Sequence, residues 1–175
     1  IPDNDKGNLS IEKKVEGAVG TDTRYDFTLN LSGSSDTYTG EITRNTANGQ
    51  TIETVEVTGN GNTNFTLAAN ETLVIRNLPK ITYTIIENVD GNGFETTMTK
   101  SENGGEAVSV GSDRRVSGTI TANTSILVTY TNTFHYTLPE TGGPGTTWYT
   151  YGVLPALVAA VVLYKRSRKK GGTVS

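Results

Sequence analysis

Cysteine is absent from this chain of 175 residues, and histidine, methionine and tryptophan occur once each. No disulfide can staple it, and no thiolate can serve as nucleophile or soft metal ligand. Histidine-based catalysis has one candidate, His135, and no Ser–His–Asp or paired-acid arrangement accompanies it. An enzyme is therefore not the expected reading, and His135 is expected to be a linker residue. Metal motifs are equally thin: Asp3-Asn4-Asp5 and Asp90-Gly91-Asn92-Gly93 look like fragments of calcium loops without the remaining ligands, so a linker and a tight turn are expected, with no cofactor. Charge is divided unevenly. All 18 acidic residues lie at or before Glu140, and only ten of the 15 cations do, so residues 1–141 carry a net charge of −8. That balance argues against nucleic acid as a partner and for solubility.

What is present between residues 9 and 134 reads as β. Short stretches rich in Thr, Val, Ile, Tyr and Phe alternate apolar with polar residues at 9–15, 25–31, 37–43, 51–57, 64–67, 72–77, 82–88, 94–99, 115–120 and 125–134. They are punctuated by Ser32-Gly33-Ser34-Ser35, Asn48-Gly49, Gly59-Asn60-Gly61, Asp90-Gly91-Asn92-Gly93 and Asn103-Gly104-Gly105. No convincing helical period precedes residue 146, and no internal repeat is visible. Ten short strands at this spacing predict an all-β, immunoglobulin-like β-sandwich, because two sheets can bury their alternate faces against each other. Residues 1–8, IPDNDKGN, read as a linker from something upstream.

Strand phase then selects three polar residues on the inward face. In the first strand Leu9, Ile11 and Val15 are in phase with Lys13, not with Lys14. Tyr83 and Ile85 lead in phase to Glu87; Ile126, Val128 and Tyr130 lead to Asn132 and Phe134. Burying an amine, a carboxyl or a carboxamide alone costs several kcal/mol, so the three must lie in water at strand ends or satisfy one another. If they meet, low dielectric favours the uncharged forms, and a neutral amine is a nucleophile. It can attack the Asn132 carbonyl while Glu87 donates a hydrogen bond to that carbonyl and relays protons to the departing ammonia. The product is a Lys13–Asn132 isopeptide bond. Lys14 is the alternative nucleophile if a bulge shifts the register.

The texts LSIEKKV (9–15), RYDFTLNL (24–31), FTLAANETLVIRNLP (65–79), YTIIE (83–87) and ILVTYTNTF (126–134) resemble the streptococcal pilin isopeptide-linkage domain of major pilins and other wall-anchored proteins. The resemblance implies a bond from a first-strand Lys to a last-strand Asn assisted by a middle-strand Glu, and these roles fall on Lys13, Asn132 and Glu87. It also implies a structural stalk or wall-proximal domain, in contact with other pilin subunits or a host surface ligand. Backbone pilins of this kind carry a second lysine in a Tyr-Pro-Lys type motif. Here Leu78-Pro79-Lys80 lacks the Tyr and is expected to be a turn, so polymerisation through it is unsupported. The rival reading is an adhesin that binds a host matrix protein or glycan through loops such as 46–49 or 59–64.

The C-terminal part has its own order. Leu138-Pro139-Glu140-Thr141-Gly142 is followed by a spacer to residue 147, an apolar stretch from 148 to 164 and a basic tail at 165–175 with Lys165, Arg166, Arg168, Lys169 and Lys170. The 17 apolar-segment residues make roughly 25 Å of helix, at the short end of a membrane span. Trp148, Tyr149 and Tyr151 suit its outer interface, and the cations behind Tyr164 resist translocation. This series is similar to the LPxTG sorting signal of Gram-positive surface proteins. The resemblance implies a sortase as partner, cleavage between Thr141 and Gly142, transient membrane insertion and covalent attachment of Thr141 to peptidoglycan, hence a cell-wall location. Export requires a leader that does not precede Ile1, so the chain is expected to be a mature fragment or the C-terminal piece of a longer protein.

Overall fold

The computed structural model describes residues 4–17, 23–88 and 93–135. These form eleven strands: β1 (Gly7–Glu16), β2 (Tyr25–Ser32), β3 (Thr37–Thr46), β4 (Gly49–Thr58), β5 (Gly61–Leu67), β6 (Thr72–Leu78), β7 (Ile81–Asn88), β8 (Phe94–Glu102), β9 (Val108–Ser109), β10 (Arg115–Ile120) and β11 (Ser125–Phe134). One sheet has seven strands in the order β4-β3-β6-β1-β11-β8-β9, the other four in the order β10-β7-β2-β5. The fold is thus the all-β sandwich that the alternating pattern implied. Each of the ten expected strands lies inside an observed one, and β9 is the addition. Among the described residues no helix is long and apolar enough to cross a membrane. The Leu138–Gly142 motif, the 148–164 stretch, the basic tail, Asp3 and residues 90–92 all lie outside the described residues.

Several boundaries shift. Ser32 and Gly49, read as turn, lie in β2 and β4. Gly7 and Asn8, read as linker, begin β1. A Cβ on Gly7 would stand 2.6 Å from both the Thr121 and Thr124 carbonyl oxygens, so only glycine lets the strand start tucked under the β10–β11 turn. Gly61, read as turn, begins β5, which leaves Gly59-Asn60 as the connection from β4.

The period of two holds where both sheets face the core. Leu9 and Ile11 of β1, Phe27, Leu29 and Leu31 of β2, Tyr83 and Ile85 of β7, and Val128 and Tyr130 of β11 are all buried. Each such aliphatic or aromatic side chain contributes on the order of 1.5–3 kcal/mol when fully buried. The first and last strands are neighbours. β1 pairs with β11 in parallel, with Lys13 opposite Tyr130 and Val15 opposite Asn132. On its other side β1 pairs antiparallel with β6 only as far as Glu12 opposite Thr72. Beyond that point the turn at 68–71 takes over: Lys13 N–H donates to the Glu71 carbonyl (3.0 Å), and Asn70 N–H donates to the Lys13 carbonyl (2.7 Å).

Candidate isopeptide site

Lys13, Glu87 and Asn132 meet in the core. Lys13 is fully buried on β1, Asn132 fully buried on β11, and Glu87 faces them from β7 of the opposite sheet with 2% of its surface exposed. The parallel register offsets Asn132 from Lys13 by two residues, the spacing of same-face neighbours, and brings both side chains to one end of the interior. Lys13 Nζ lies 2.8 Å from Glu87 Oε1. The two groups form a close, fully buried pair, and this contact works against the neutral amine. Asn132 Nδ2 donates to the same Oε1 at 2.8 Å. Glu87 Oε2 is buried without a partner among the described residues.

Apolar and aromatic groups wall the cluster. Tyr25 lies with its ring centroid 4.5 Å from Lys13 Nζ, and its buried hydroxyl makes no hydrogen bond among the described residues. Tyr130, opposite Lys13 in the ladder, donates from its hydroxyl to the Ile85 carbonyl at 2.8 Å and packs edge-on against Phe27. Desolvation lowers the Lys13 amine from its ordinary 10.5 to about 8; the Glu87 charge opposes that shift and the Arg114 charge assists it. A buried amine moved this far toward neutrality is suited to act as a nucleophile.

The geometry corrects one part of the expected chemistry. Glu87 does not donate to the Asn132 carbonyl; it faces the amide nitrogen, the atom that would leave. The carbonyl oxygen is held instead by Thr96 of β8, whose hydroxyl donates to Asn132 Oδ1 at 2.8 Å. Arg114, from the turn before β10, donates from Nε to Thr96 Oγ1 at 3.3 Å. Sequence reasoning passed over Thr96, although it is in phase with Phe94 and the buried Met98.

The other candidates fall away from this cluster. Lys14 has half of its side chain exposed and sits 3.8 Å from Glu12, so no bulge brings it inward. His135 and Glu95 form a solvent-exposed pair at 3.6 Å. Leu78 ends β6 and Lys80 is exposed before β7, which makes Leu78-Pro79-Lys80 the expected turn. The loop at 46–49 narrows to Ala47-Asn48 between β3 and β4.

A pH effect follows from the buried amine. Between about 8 and 10.5 the unfolded chain holds more protons on Lys13 than the folded chain, so stability should rise with pH wherever Lys13 remains a free amine. The rise should stop near pH 10, where Tyr25, Tyr83 and Tyr130, whose ionisation burial opposes in the fold, begin to favour the unfolded chain. Asn132→Ala, which keeps the amine free, is expected to melt at a higher temperature at pH 9.5 than at pH 7.5. A flat profile in that variant would contradict the lowered amine.

A family described as a domain of unknown function (DUF7601) matches residues 7–134. No curated protein matches the chain. Among solved structures, the major pilin from Streptococcus pyogenes is similar with a TM-score of 0.64 and 19% identity, over 75% of this chain and 49% of that one. The T3.2 major pilin from Streptococcus pyogenes gives 0.61 and 24%, over 74% and 45%. The pilus-presented adhesin Spy0125 (Cpa) gives 0.52 and 19%, over 75% and 28%. The chain thus spans half or less of the length of these structures, and at such identities the likeness is one of fold.

Proposed function

From the premise that the chain belongs to the DUF7601 family, we propose that its sandwich is a load-bearing domain of a pilin-like surface protein, closed by an autocatalytic Lys13–Asn132 isopeptide bond. The observation that carries this reading is the buried triad, with the Lys13 amine 2.8 Å from a Glu87 oxygen that also accepts from the Asn132 amide nitrogen. In the reaction the neutral amine attacks Asn132 Cγ and the Cγ–Nδ2 bond breaks. The amine gives up a proton, Glu87 passes one to Nδ2, and ammonia leaves. Positioning in a rigid core supplies the proximity that makes an ordinarily slow aminolysis feasible. No external catalyst or oxidant is required.

Topology supports the mechanical role. β1 and β11 are parallel neighbours, so tension drawn from the start of β1 and the end of β11 shears one strand along the other. A bond from Lys13 to Asn132 would carry that load across the ladder and leave residues 14–131 out of the path. With no cysteine in the chain, this is the covalent restraint its chemistry offers. The pilin and pilus-adhesin structures that share the fold favour an exposed, extracellular setting.

The C-terminal series belongs to the same proposal. Leu138-Pro139-Glu140-Thr141-Gly142, the apolar 148–164 segment and the basic tail would let a sortase join Thr141 to peptidoglycan, holding the sandwich close to a Gram-positive wall. Whether the domain sits in a pilus shaft or beneath an adhesive tip, the requirement on it is the same resistance to tension.

The intact mass of the purified full chain tests the bond. Wild type is expected to be one ammonia lighter than its sequence requires, and Glu87→Ala to keep the full mass. A folded wild type at full mass refutes the proposal.

A further inference from the structure

Resting on the isopeptide reading above, the geometry points to Thr96 as the group that activates the electrophile, with Arg114 as its positioning residue. As the amine adds to Cγ, negative charge develops on Asn132 Oδ1, and a donor already aimed at that oxygen stabilises the charge without reorganising. Thr96 is that donor at 2.8 Å. Its β8 position lies directly opposite Asn132 in the antiparallel β8–β11 ladder, so the backbone register itself sets the approach.

The amide orientation follows from the same contacts. Arg114 Nε donates to Thr96 Oγ1 at 3.3 Å, which leaves the hydroxyl hydrogen to be donated onward. A carbonyl oxygen can accept it and an amide NH2 cannot. On the other side Glu87 Oε1 accepts from Nδ2. The carboxamide is therefore held with its oxygen at a donor and its nitrogen at the proton-relaying acid, the alignment that aminolysis needs. A reversed amide would leave the carbonyl oxygen without the Thr96 donor and make Nδ2 share the Thr96 lone pairs with Arg114.

Arg114 is placed by backbone contacts and not by chance rotamers alone. Asp113 and Arg114 both adopt left-handed conformations, with φ of 51° and 60°. The Arg114 carbonyl accepts from Glu87 N–H at 3.1 Å and from the Tyr130 hydroxyl at 3.3 Å. Its guanidinium lies 5.5 Å from the Phe94 ring centroid. The turn is thus tied to the acid and to the strand that bears Asn132, and its side chain reaches Thr96 from there. A cation behind the hydroxyl increases the polarity of its O–H bond toward the developing oxyanion.

The test follows bond formation in the full chain made by cell-free synthesis, quenched at intervals and read by intact mass as the fraction one ammonia lighter. Thr96→Val keeps the shape and removes the donor, and it is expected to slow the reaction on the order of 10²-fold, the usual loss of one preorganised oxyanion donor. Thr96→Ser restores the hydroxyl and is expected to recover most of the rate; Arg114→Gln is expected to slow it several-fold. A Thr96→Val chain that reacts as fast as wild type overturns the role of Thr96 while leaving the bond in place. So does a Thr96→Ser chain as slow as Thr96→Val, since a hydroxyl at that site would then not suffice. Wild type that never loses ammonia overturns the isopeptide reading and the role together.

Discussion

Lys13→Met is expected to lower the melting temperature of the full chain by roughly 15–20 °C, the conversion of about 4–5 kcal/mol for a domain of this size. The figure comes from the loop that the bond would close: Lys13 and Asn132 are 119 positions apart, and cross-linking so long a segment removes much of the freedom of the unfolded chain. Methionine is the useful substitution because it fills nearly the same fully buried volume without an amine. Losing Lys13 also leaves Glu87 buried without its partner, a separate cost that a comparison in a background without the bond measures. A double-mutant comparison separates the two effects. Asn132→Ala abolishes the bond but leaves both the Lys13 amine and Glu87 in the core. Lys13→Met added to Asn132→Ala should therefore lower the melting temperature by clearly less than it does in wild type, because the cross-link is already gone and only the packing and charge terms remain. Equal drops in the two backgrounds would mean that Lys13 acts through packing and charge alone, and the clamp would have to be abandoned.

The same triad shows what period two reveals and what it hides. Alternation reports the face of a strand. Lys13, Glu87 and Asn132 were legible because each is a polar residue in phase with buried apolar ones. Alternation does not report which strand lies beside which. The parallel pairing of β1 with β11, and the placement of Thr96 directly opposite Asn132, arise from sheet order and left no mark in the local text. Thr96 was passed over because an inward threonine on a strand is ordinary and carries no charge that burial would penalise. Arg44 was a fairer target. It is in phase with Gly40 and Ile42 on β3 and only 9% exposed, so the rule that exposed Lys13 to view applies to it equally. β9 has two residues, too few for any period. Arg114 depends on a left-handed turn that no alternation encodes.

Glu71→Gln is expected to destabilise the chain by about 2 kcal/mol and Glu71→Ala by about 3–5 kcal/mol, although the Glu71 side chain lies outside the triad. Glu71 is fully buried in the turn before β6, where every contact to its carboxylate is a donor. Ala68 N–H donates to Oε2 at 2.9 Å and Asn45 N–H to Oε1 at 3.0 Å. Arg44 reaches Oε2 at 2.9 Å and Arg24 at 3.1 Å. Glutamine cannot satisfy that ring, because its NH2 must face one of the donors; alanine strands both backbone N–H groups. Arg44 itself keeps Glu53 at 2.8 Å, which limits the cost on its side. Burial alone would raise the Glu71 carboxyl, but the Ala68, Arg44 and Asn45 hydrogen bonds outweigh it and hold the group below its usual 4.5. Its stabilisation is accordingly present in full above pH 4.5 and lost as pH falls through the lowered folded value. Wild type should therefore weaken over that acid interval by more than Glu71→Gln does, and identical acid profiles would remove Glu71 from the account. The consequence reaches the proposed bond through the backbone. The Glu71 carbonyl accepts from Lys13 N–H and Asn70 donates to the Lys13 carbonyl, so this carboxylate holds the turn that fixes the nucleophile's strand just where β6 stops pairing with it. A residue that appears only to brace a turn thereby sets where the amine sits, and Glu71→Ala should form the bond more slowly as well as unfold more easily.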